Sequence, residues 1–102
     1  MLYQEIESLK NKIIEAADPE LIILFGEKKH LGSEKVREVN LCVVVSDSDC
    51  KKTEKRIYLN VESEIAFNIL VYSLDEWQRL KKDDTSYACS IIKKGVLIYE
   101  KA

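Results

Sequence analysis

Leu21, Ile22, Ile23, Leu24 and Phe25 form an unbroken apolar run that stops at Gly26. A strand that is apolar at every position is covered on both faces, so this run belongs at the centre of a sheet backed by helices. A second run, residues 39–45, is apolar apart from Asn40, and a largely charged connection over 26–38 separates the two. The rest of the chain must supply the cover. Leu2, Ile6, Leu9, Ile13, Ile14 and Ala17 lie on one stripe of an amphipathic helix over 2–17. Asp18-Pro19 ends it, because the residue before a proline is pushed out of the helical region.

The first strand is expected over 21–25. In the connection, Gly32-Ser33 marks a turn, and Ser33 is positioned to cap a short helical stretch through Arg37. After the second strand, Ser46-Asp47-Ser48-Asp49 reads as a turn and helix cap. The segment 56–61 fits two periods, since Ile57, Leu59 and Val61 alternate while Ile57 and Val61 sit one helical turn apart. A helix over about 50–59 is expected, because the chain needs a crossover there. A third strand spans 65–72. Ser73 and Glu76 form a capping box for a helix to about Lys82. A last helix covers 87–94, with Gly95 as a left-handed C-cap, and a short strand closes at 96–99.

The 102 residues suffice for one domain, 1–102, with a modest core. A net charge of −2 leaves no global basic field to hold nucleic acid; the lysines at 28, 29, 51, 52 and 55 read as solvated faces. Three cysteines, an odd number in or beside apolar segments, suit free thiols in a reducing cytoplasm. No apolar run approaches the ~20 residues that span a bilayer, and no charged-then-apolar leader opens the chain, so the expected location is cytoplasmic.

In order and spacing the chain resembles the minimal nucleotidyltransferases of the DNA polymerase β-like superfamily over nearly its whole length. The resemblance is carried by Leu24-Phe25-Gly26-Glu27 and then by Asn40-Leu41-Cys42 opening the second strand. It continues in Asn68-Ile69-Leu70-Val71-Tyr72 and in the tail from Ile91 to Glu100. It implies an α/β (α+β) nucleotidyltransferase-like fold, a small mixed sheet with helices packed mainly on one side. The family's reaction transfers a nucleoside monophosphate from a triphosphate to a hydroxyl, using Mg²⁺ held by three carboxylates.

The positions matching those carboxylates are Asn40, Cys42 and Asn68. Amides lack the charge and a thiol is too soft for Mg²⁺. At the phosphate-binding corner Gly26 stays, but the family's serine is Glu27, and the residues after it match only through His30 and Gly32. Such a corner retains no intact catalytic residue, calls for no metal or other cofactor, and would repel a triphosphate through Glu27. A rival alignment on Gly32-Ser33 and Asp47-Ser48-Asp49 fails, because Asp49 is followed by Cys50-Lys51-Lys52 and not by a strand.

The function expected from this is that of a non-catalytic partner protein on a nucleotidyltransferase-like scaffold. Its partner would be a helical HEPN-type protein, in a two-component toxin–antitoxin pair, or a second copy. One alternative is an active Mg²⁺-dependent nucleotidyltransferase using displaced carboxylates such as Asp47, Asp49 or Glu64; another is a structural subunit of a homo-oligomer. Other constellations are weaker. His30 with Cys42, Cys50 and Cys89 lacks paired zinc-ligand spacing, Cys42 has no nearby base, and Tyr58, Tyr72, Tyr87 and Tyr99 are too scattered for a stacking platform.

Overall fold

The computed structural model describes residues 3–102. The elements run α1 (Gln4–Ala17), β1 (Leu21–Lys29), β2 (Val36–Val45), α2 (Cys50–Asn60), β3 (Ala66–Ser73), α3 (Leu74–Leu80), α4 (Tyr87–Lys94) and β4 (Val96–Glu100). Leu2, expected in the first helix, lies outside the described residues. The four strands form one sheet in the order β3-β2-β1-β4. β1 runs antiparallel to both of its neighbours, and β2 runs parallel to β3, with α2 as the crossover. This is the mixed α/β arrangement expected, consistent with a small nucleotidyltransferase-like fold.

Strand alternation divides the core in two. Val39, Leu41, Val43 and Val45 of β2 point to the face covered by α1 and α2, where they meet Ile6, Leu9, Ile13 and Ile57. Cys42 and Val44 point to the other face and pack with Ile23, Trp77 of α3, and Ala88 and Ile91 of α4. The first face carries the two longer helices and the larger core. The second is closed by two short helices over part of its length. Among the described residues no helix is long and apolar enough to cross a membrane.

Side chains and backbone explain where the elements stop. The Asp18 backbone is left-handed (φ 45°, ψ 59°) and its N–H donates to Ile14 O at 2.9 Å, so the left-handed cap of this chain ends α1. Gly95 is not such a cap: its φ of −90° and ψ of 170° are extended. Asp49 caps α2 by accepting from Lys52 N, and Ser73 and Ser86 cap α3 and α4 through Glu76 N and Cys89 N. Residues 56–60 are helical, with Ile57 buried and Leu59 out in solvent, which resolves the ambiguous segment in favour of the crossover. α3 stops at Leu80, short of the expected Lys82.

The connection between the first two strands differs from expectation. No helical stretch follows Ser33; β1 continues to Lys29, β2 starts at Val36, and the two make a long hairpin. Its turn is closed by His30 N–H donating to Lys35 O, with Gly32 at φ 72°. The Ser33 hydroxyl accepts from Lys35 N two residues on, making a turn and not a helix cap. Buried Val36, exposed Arg37 and buried Val39 belong to one edge of the ribbon, and ion pairs Lys28–Glu38 and Lys29–Glu34 cross it.

Candidate functional site

Register brings three of the singled-out residues into one row. Gly26 pairs with Asn40 across β1 and β2, and Asn40 pairs with Asn68 across β2 and β3. Directly opposed residues share a face of the sheet, so these three line the α3/α4 face, just past the end of the helical cover. The Asn68 side-chain amide donates to Asn40 Oδ1 at 3.2 Å. A Cβ on Gly26 would lie 2.8 Å from Asn40 Nδ2. Glycine at that position therefore lets the Asn40 amide lie flat against β1, and this close approach is its structural use there.

Cys42 is two residues along from Asn40 on the same face, but it does not reach the row. Its side chain is fully buried with Ile23, Val44, Trp77, Ala88 and Ile91. Burial pushes its thiol up to about 12, which leaves it protonated and unable to act as a thiolate ligand or nucleophile at neutral pH.

The rest of the expected phosphate corner does not assemble. Glu27 pairs with Val39, whose side chain is in the α1/α2 core, so Glu27 belongs to the opposite face and adds no charge beside the two asparagines. It borders a separate groove with Tyr3, Ile6 and Leu24. His30 and Gly32 sit in the hairpin turn, exposed. The displaced carboxylates are elsewhere as well. Asp47 accepts from Asp49 N in the turn after β2, Asp49 caps α2, and Glu64 borders a cleft against α1 with Glu5, Lys12 and Glu62.

What surrounds the asparagine pair is apolar and aromatic. A shallow cleft of about 300 Å³ is lined by Phe25, Asn40, Asn68, Ile69, Leu70 and Tyr87. Phe25 and Tyr87 meet edge to face with ring centroids 6.1 Å apart. Leu70 and Tyr87 are exposed at the rim, Tyr87 by 51%. No charged side chain lines this cleft. Sequence reasoning missed Phe25, Leu70 and Tyr87, because Tyr87 opens α4 some sixty residues from Phe25 and only the α4–β1 packing joins them.

The donor set does not fit Mg²⁺. The hard dication prefers anionic oxygens, whereas this row offers two neutral carboxamides and, beneath the helices, a protonated thiol. Among the described residues no three His, Cys, Asp or Glu side chains lie close enough together to hold a metal ion. Comparison with protein-family models, with curated proteins and with solved structures finds no match to this chain.

Proposed function

We propose that this chain is a non-catalytic binding protein on a nucleotidyltransferase-like scaffold, acting through a protein partner. The observation that carries this reading is the row Gly26–Asn40–Asn68. At the positions where the resemblance calls for metal-binding carboxylates, two amides bond to each other and Cys42 is core. The partner class that the resemblance implies is a helical HEPN-type protein.

Self-association is the second reading, and one feature favours it. β4 is an edge strand whose Val96 and Leu97 are 59% and 51% exposed on its two faces. Edge strands with exposed apolar residues invite pairing with another chain.

Isothermal titration with Mg²⁺ or Mn²⁺ and each nucleoside triphosphate tests the non-catalytic reading. The expected result is no heat of binding. Micromolar binding that disappears in Asp47→Asn would overturn it and restore the enzyme reading. Size-exclusion chromatography with light scattering separates the two partner readings: a mass above that of one chain, independent of any ligand, favours self-association.

A further inference from the structure

We propose that the Asn40–Asn68 cleft binds a neutral, planar heterocycle whose edge carries a hydrogen-bond donor beside an acceptor. The proposal rests on the non-catalytic reading, since it requires a row free of metal. Each asparagine amide offers one carbonyl oxygen and two N–H groups. The single bond from Asn68 to Asn40 uses one N–H and one lone-pair direction. That leaves the Asn68 oxygen and its second N–H unused at the cleft, while the Asn40 amino group lies against Gly26. A carboxamide holds donor and acceptor side by side, and its complement is another side-by-side pair. For this reason asparagine grips the edge of adenine through two hydrogen bonds.

The walls select for shape and charge. Phe25, Leu70 and Tyr87 present apolar and aromatic surface around the amides, while the Ile69 side chain is packed in the core on the opposite face. Flat rings gain from aromatic surface with little regard to their identity, at about 1–3 kcal/mol per base in single-stranded nucleic-acid binding. A volume of about 300 Å³ lies at the small end of ligand sites and accommodates one ring system, without a long substituent. No charged side chain belongs to the lining itself, and the Lys94 ammonium nearby is engaged over the Tyr87 ring at 5.5 Å from its centroid. Gly26 completes the site by keeping the Asn40 amide in place.

The test is a titration of the full chain with adenine, uracil and nicotinamide, followed by the side-chain NH₂ signals in ¹H–¹⁵N correlation spectra. The expected result is a saturable shift of the Asn40 and Asn68 signals that is unchanged by a chelator. Affinity should weaken at least tenfold in Asn68→Ala, an exposed position the fold tolerates, and likewise in Gly26→Ala, whose methyl displaces the Asn40 amide. The inference is overturned if these signals stay still at millimolar probe, or if Asn68→Ala binds as well as the parent. It is also overturned if the signals move only with protein concentration, which would mean that a second copy covers the amides. Silent metal titrations with no probe binding would sink this inference alone. Tighter, magnesium-dependent binding of a triphosphate would sink the non-catalytic reading with it.

Discussion

Replacing Gly95 separates two reasons for a glycine at the α4–β4 elbow. If the position needed a left-handed backbone, asparagine would be the best substitute and would cost about 1 kcal/mol. The backbone is extended, and what excludes a side chain is space. A Cβ would lie 2.5 Å from Ile23 Cγ2, 2.6 Å from Ile91 O and 3.2 Å from Leu24 O. Ile23 is a β-branched core residue, and the two oxygens are backbone, so none of the three is the free end of a flexible side chain. The carbonyl of Ile91 is also held by the Gly95 N–H at 2.8 Å. Relief therefore means lifting the elbow off β1. Overpacking of this kind costs about 1–3 kcal/mol, and a weakened hydrogen bond adds about 0.5–1.5 kcal/mol. Gly95→Ala should thus lose about 2–4 kcal/mol, a fall in Tm of roughly 10–30 °C for a domain of this size. Urea and thermal melts followed by circular dichroism measure it. Gly32→Ala is the control: φ is 72° there with nothing within 4 Å, so its cost of about 1–2 kcal/mol is conformational alone. A loss below about 1 kcal/mol in Gly95→Ala, or rescue by Gly95→Asn, would refute the steric argument.

Tyr58→Phe keeps the ring stacked on Phe67 but removes the hydroxyl that accepts from Ile69 N on the outer edge of β3. Stability should fall by about 0.5–1 kcal/mol in urea melts, and light scattering should show more self-association through the newly bare edge. Cys42 has its pKa raised from 9.0 to about 12 by burial, so the native state holds its proton more tightly than the unfolded state. The associated stability is complete below pH 9.0 and is lost between there and about 12, at about 1.4 kcal/mol per pH unit; melts of the parent and Cys42→Ala across that window should converge as pH rises. A thiol reagent should label only half-buried Cys50 in the native chain, with Cys42 and Cys89 reacting on unfolding. Cys42→Asp should cost more than about 3 kcal/mol by burying an unpaired carboxylate, whereas Asn68→Asp should cost less than about 1 kcal/mol, both by urea melts.

The apolar runs at 21–25 and 39–45, the α1 stripe and the caps at Asp49 and Ser73 were legible because each is a local signal: period, continuity, or a capping oxygen three residues from its N–H. The hairpin was not, since Val36 and Val39 are spaced as on a helix and only their register against Lys29 and Glu27 makes them strand. The elbow glycine misled for a related reason: sequence shows a glycine after a helix but not the Ile23 methyl that it must clear. The same limit governs the site. The resemblance grouped Asn40, Cys42 and Asn68 as a set, yet the fold divides them, with the asparagines bonded in an open row and the cysteine beneath Trp77 and Ile91. The contacts that bury Cys42 come from α3 and α4, which also bring Tyr87 to the cleft rim. A carboxylate at position 42 would be buried beneath both helices, apart from the open row of the asparagines. Aspartates placed at 40, 42 and 68 without moving α3 and α4 should therefore yield a less stable protein, with most of the cost at position 42.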